Sequence, residues 1–136
     1  MGKLKKEVPM IMKRILKRDR IRKTAGRFSF IPHRFLLEGF LASLNQNELS
    51  LYFFLVLASD RNGVSYYGQT SICAHLHLTD IDYKKAQDGL VIKDLLAFDG
   101  VFFQVLELPS NPVLLVHQSQ EALHALCRKI GNGGVS

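Results

Sequence analysis

The stretch GQTSICAHLHLTDIDYKKAQDGLVIKDLLAFDGVFFQVLEL, residues 68–108, decides the expected architecture. A helical pattern over about residues 69–77 is followed by a tight turn and a second helix from Thr79 or Asp80 to about Lys93. Leu78 and Tyr83 flank that second start at the spacing of a hydrophobic staple. Asp82 sits in its first turn, where a carboxylate is favoured by the positive end of a helix. The segment LLAF-DG-VFFQVLEL then places Asp99-Gly100 between apolar runs, the strongest short-range signal for a two-residue β-hairpin. The expectation is a mainly α fold carrying a small β-hairpin.

Working back from residue 68, VSYYG suits one short strand and DRNG, residues 60–63, is turn chemistry. One of Tyr66 and Tyr67 is expected in the core, while their hydroxyls suit phosphate contacts. Asn45 and Glu48 have capping-box spacing, with Leu44 and Leu49 as a staple, so a helix is expected over about residues 45–59. Its apolar content runs nearly all the way round, as in the central helix of a small core. LSLYFFLVLA within it is far shorter than the roughly 20 residues a membrane span needs, so no membrane partner is expected. In FSFIPHRFLLEGF, Pro32 suits a first helical turn, with Phe35, Leu36 and Phe40 on one face. VPMIMKRILKRDRIRK is compatible with a helix bearing Ile11, Met12, Ile15 and Leu16 on one side, and equally with a solvated tail or a membrane-surface or transit-like segment. Beyond residue 108, QSQEALHALCRKI forms an amphipathic pattern with Ala122, Leu123, Leu126 and Ile130 together.

The chain of 136 residues has one domain's worth of length and a net charge of +6, and that charge is unevenly spread. Residues 1–27 carry eleven Lys and Arg against Glu7 and Asp19, a net +9, whereas the remainder carries seven basic and ten acidic side chains, a net −3. Three parts follow: a basic arm (1–27), a folded module (28–108) and a C-terminal helical extension (109–136) suited to self-association. Cys73 and Cys127 lie far apart with no cleavable signal, so a reducing cytoplasm is the expected setting.

The order helix, turn, helix, hairpin is that of a winged helix-turn-helix. At residues 72–96 the sequence resembles the bacterial winged-helix family, including MarR-like regulators and the N-terminal domains of DnaD-type replication initiators. Ile72 and Cys73 match its packed pair in the first helix, Leu76 and Leu78 bracket the turn, and Thr79 stands as the polar cap. Tyr83, Ala86 and Leu90 match core positions, and Lys93-Asp94-Leu95-Leu96 matches the entry to the wing. His77 replaces the usual turn glycine, and Asp94 stands where another glycine is common. The resemblance implies double-stranded DNA as the partner, in transcription control or in plasmid or mobile-element replication initiation, with a homodimer reading two half-sites.

The exposed candidates on the second helix are Asp80, Asp82, Lys84, Lys85, Gln87 and Asp88, of which Lys84, Lys85 and Gln87 are the expected major-groove readers, with Thr79 beside them. Phosphate contacts are expected from Arg34 and Arg61 and from Arg14, Arg18, Arg20, Arg22, Lys23 and Arg27 of the arm. The hairpin carries no Lys or Arg, so it lacks the cations of a basic minor-groove clamp. Phe98, Val101, Phe102, Phe103 and Leu106 give it more apolar surface than one face buries, which suits a protein partner and a rival reading as an interaction module. An RNA-binding role, with an arginine-rich arm that orders on binding, would need sheet aromatics for stacking, of which the short sheet offers few. A Cys73/His77 pair with His124/Cys127 would give a Cys2His2 set, but Cys73 fits a packing role better, and no metal or other cofactor is expected. No P-loop, hydrolase elbow or dinucleotide fingerprint is present, and a non-enzyme is expected.

Overall fold

The structure, a computed structural model, describes residues 12–24 and 26–114. Among these the α-helices and strands run α1 (Arg34–Leu37), α2 (Gln46–Ala58), β1 (Val64–Ser65), α3 (Gln69–Leu76), α4 (Asp80–Ile92), β2 (Leu96–Phe98) and β3 (Phe103–Val105). The fold is mainly helical with a three-stranded antiparallel sheet in the order β1-β3-β2. The amphipathic C-terminal pattern and the His124/Cys127 pair lie outside the described residues.

α2 starts where its sequence says it should. Asn45 Oδ1 accepts from the Glu48 amide at 2.8 Å, and Glu48 Oε1 accepts from the Asn45 amide at 3.0 Å, so two otherwise orphaned donors are satisfied reciprocally. The helix is not buried all round: Leu51, Tyr52, Leu55 and Val56 face the core, but Phe53 and Leu57 are exposed. None of the helices among the described residues is long and apolar enough to cross a membrane.

Glu48 has a second role that its capping position conceals. It is only 4% exposed, and Lys93 at the end of α4 places Nζ 2.6 Å from its Oε1 and 2.7 Å from the Ser43 carbonyl. α4 passes so close that a Cβ at Gly89 would overlap the Glu48 carboxylate. Gly89 is therefore what lets α2 and α4 approach around a buried ion pair.

The core lies between α2, α3, α4 and the hairpin, centred on Leu51, Leu55, Ile72, Leu90, Leu95 and Phe103. α1 closes one end by stacking Phe35 on Tyr52, ring centroids 5.0 Å apart. Phe35 and Phe40 are buried as the spacing suggests, but Leu36 is exposed. The helix is a single turn, so a residue next to Phe35 points about 100° away with no second turn to cover it. Pro32 lies just before that turn, its carbonyl accepting from the Phe35 amide at 3.0 Å.

Two non-glycine residues take left-handed backbone, His77 (φ 57°) and Asp94 (φ 64°). His77 caps α3, and the Leu78 amide returns to the Cys73 carbonyl at 3.1 Å, which turns the chain directly into α4. Asp94 makes the equivalent exit from α4, with the Leu95 amide bonded to the Leu90 carbonyl at 3.1 Å. These are the two positions at which glycine would be the least strained residue.

The hairpin differs from the two-residue loop expected at Asp99-Gly100. Phe98 pairs with Phe103, so residues 99–102 make the connection. Asp99 Oδ1 accepts from the Val101 amide at 2.8 Å and the Phe102 amide at 2.7 Å, and Gly100 takes φ 98°. Those amide bonds hold the Asp99 carboxyl below the usual carboxylate range. The register stacks Phe98 on Phe103 with centroids 4.3 Å apart, a cross-strand aromatic contact that pairing Phe98 with Val101 would forgo.

The arm shows no α-helix over residues 12–24, only a 3-10 turn at Arg18–Arg20. Lys13–Lys17, Arg14–Arg18 and Arg18–Arg22 would each set like charges four apart on a helix. Met12, Ile15 and Leu16 are exposed, so no tertiary packing offsets that repulsion.

Candidate nucleic-acid interface

α4 divides into an outward half and an inward half. Thr79, Asp80, Ile81, Lys84 and Lys85 are exposed, whereas the run from Ala86 to Leu90 is buried. Gln87, expected as a base reader, is 5% exposed, and Asp88 is buried with it. α4 packs against α2, α3 and β2, and both side chains are taken from the surface in that packing. Only the N-terminal half of the helix is left for a ligand.

That half is well held. Thr79 Oγ1 accepts from the Asp82 amide at 3.1 Å, so the hydroxyl serves as the N-cap. Asp80 accepts from Gln69 Nε2 at 3.0 Å, tying the start of α3 to the start of α4. Lys84 Nζ lies 3.4 Å from the carboxylate of Asp88, one helical turn on. Lys85 is exposed and ion-paired to none of the described residues. Sequence reasoning missed Ile81, an apolar side chain 67% exposed on this face. Its signal was positional, since it precedes Lys84 and Lys85 by three and four residues.

Arg34 is not placed for phosphate. Its guanidinium donates to the carbonyls of Leu108 (3.3 Å), Pro109 (2.8 Å) and Ser110 (3.3 Å) and to Glu38 Oε1 (2.9 Å), and it lies 5.2 Å from the Phe40 ring centroid. Its fork is occupied in clasping the chain after β3 to α1. Arg61 is exposed in a turn organised by Asp60, whose Oδ1 accepts from the Asn62 and Val64 amides at 2.8 and 3.0 Å. Arg14, Arg18, Arg20, Arg22, Lys23 and Arg27 are exposed. Tyr66 and Tyr67 are both exposed, so neither belongs to the core; Tyr67 meets Phe54 edge-on at 5.2 Å.

Cys73 packs partly against the core with Sγ 3.8 Å from Asp80 Oδ1. Burial, then the Asp80 carboxylate, push its thiol up, and the same neighbourhood pushes Tyr83 up to about 12, chiefly by burial. In a Cys127→Ser background, Asp80→Asn is expected to speed alkylation of Cys73 several-fold at about pH 7.5, because the thiolate loses a neighbouring negative charge. Timed mass spectrometry reads the rate, and an unchanged rate would remove Asp80 from control of the thiol. Among the described residues there is no group of three or more His, Cys, Asp or Glu side chains placed for a metal ion.

No protein-family model, curated protein or solved structure matches this chain.

Proposed function

We propose that the chain is a winged helix-turn-helix protein that binds double-stranded DNA, with the first half of α4 entering the major groove and the basic arm engaging phosphates. The observation that carries this reading is the outward half of α4, where Thr79, Ile81, Lys84 and Lys85 are exposed on a helix whose other half is locked into the core. Recognition helices contact base edges with their N-terminal residues. The α3-turn-α4 sequence through left-handed His77, followed by an antiparallel hairpin, supports the same fold.

Each exposed side chain has a role under this reading. Lys85 offers an exposed cation to a guanine edge or a phosphate, Lys84 does so by leaving Asp88, and Ile81 suits a thymine methyl. The arm supplies the sequence-independent affinity, since the rest of the chain is net negative. The protein would act without catalysis, metal or cofactor, as a cytoplasmic transcription regulator or a plasmid or mobile-element replication-initiation factor. A homodimer would give it two half-sites.

A second reading, an interaction module for a protein partner, draws on a separate observation. Val101 and Phe102 at the hairpin tip and Phe53 and Leu57 on α2 are exposed. The two readings separate on a Lys84→Ala/Lys85→Ala variant. Under the DNA reading it loses about 1–3 kcal/mol of discrimination per base contact removed, a loss separate from the stability that goes with the Lys84–Asp88 ion pair, which a melting curve reads. Competition binding between a selected duplex and its scrambled counterpart measures this, and unchanged selectivity would favour the interaction module.

A further inference from the structure

The hairpin tip is built in a way that α4 and the arm do not explain. Phe102 is 50% exposed and Tyr66 70% exposed, and their rings lie 5.6 Å apart at 51°. Beside them opens a cleft of about 200 Å³ lined by Val64, Ala97, Phe98, Asp99, Phe103 and Gln104 together with Phe102. Phe98 and Phe103, stacked on each other, are among its apolar walls, and the Gln104 amide offers both a donor and an acceptor. The tip is preorganised, because the Asp99 carboxylate holds the amides of both Val101 and Phe102.

We infer that Tyr66 and Phe102 with this cleft form a stacking site for a single unpaired nucleobase. The inference rests on the nucleic-acid reading above and adds to it a ligand for the uncharged hairpin. Solvent-exposed aromatic faces are what base stacking uses, and the interaction needs no cation at the site itself. The cations come from the arm. Arg34 anchors the arm's root at the carbonyls of residues 108–110, and six residues of extended chain separate Leu108 from Phe102, at most about 20 Å. Arg27 lies seven positions before Arg34, so the arm joins the fold beside that anchor, and its cations are the partners for phosphates flanking a base at the tip. A protein occupant fits less well, since a stable interface covers about 800 Å² on each side and this cleft is the size of one small ring system. The base can come from a single strand or from a distorted duplex.

The chain contains no tryptophan, so Phe102→Trp in the full chain creates a unique reporter at the tip. The probes are an oligothymidylate of about 12 nucleotides, a fully paired duplex, and the same duplex with one bulged thymine, with affinity read separately by anisotropy. The expected result is quenching of the introduced indole's fluorescence by the single strand, the bulged duplex or both, which identifies the source of the base. Phe102→Ala should weaken binding to that probe roughly tenfold or more and leave the paired duplex within about twofold. Binding to paired duplex with no quenching on any probe overturns the stacking site and leaves the DNA reading standing. Failure of the unmodified chain to bind any probe overturns both. A Phe102→Ala chain that changes its sedimentation but not its base affinity assigns the tip to a second copy and overturns the inference. Quenching in the Phe102→Trp chain decides the matter even if Phe102→Ala unfolds.

Discussion

Lys93→Met is expected to lower the unfolding free energy by about 3–5 kcal/mol, the cost of leaving a buried carboxylate without its cation. The ammonium is 2.6 Å from Glu48 Oε1, and side-chain exposure is 12% for Lys93 and 6% for Glu48, so solvent screens the pair little. Methionine keeps most of the aliphatic stem, which isolates the loss of charge from loss of packing. Glu48 cannot swing away easily, since Gly89 presses on one side of it and the Asn45 amide holds it on another. Adding Glu48→Gln to Lys93→Met should recover much of the loss, because glutamine still caps Asn45 and leaves no charge buried. Urea titrations of the two single variants and the double read this directly. A Lys93→Met chain within about 0.5 kcal/mol of the parent would show that the pair is not what holds α2 to α4.

Removing residues 1–25 is expected to have the largest effect on DNA binding. Ten of the chain's eighteen Lys and Arg go with that segment, and only Arg27 of the arm remains. If six of the arm's cations and two from the rest of the chain meet phosphates, affinity of the full chain falls by about ten-thousandfold between roughly 50 and 200 mM salt. A chain starting at Gly26, with about three cations left at the interface, should fall by less than about a hundredfold over the same range. Anisotropy titrations at several salt concentrations give both slopes. Equal slopes would take the arm out of the interface and leave α4 alone responsible for phosphate contact.

The part of the fold legible in the sequence is the part decided by local chemistry. Asn45 with Glu48, and Thr79 at the start of α4, are caps whose partners lie three residues away, so their spacing was enough. His77 and Asp94 stand where the resemblance leads one to expect glycine, and both take left-handed backbone. Burial was less legible. Gln87 and Asp88 have the polarity of a solvated face, but the packing of α4 against α2, α3 and β2 buries both. Arg34 has the character of a phosphate ligand, and only the return of the chain after β3 supplies the three carbonyls that occupy it.

By itself the sequence determined where α2, α3 and α4 start and stop, that a hairpin follows α4, and that positive charge concentrates in residues 1–27, all of which depend on residues a few positions apart. The tertiary structure alone decided which half of α4 reaches solvent, that Lys93 is spent on Glu48, and that Tyr66 lies against Phe102 beside an open cleft. Those last two pairings join residues 45 and 36 positions apart, and which distant side chains share a low-dielectric interior depends on how closely the backbones pack, which no local pattern encodes.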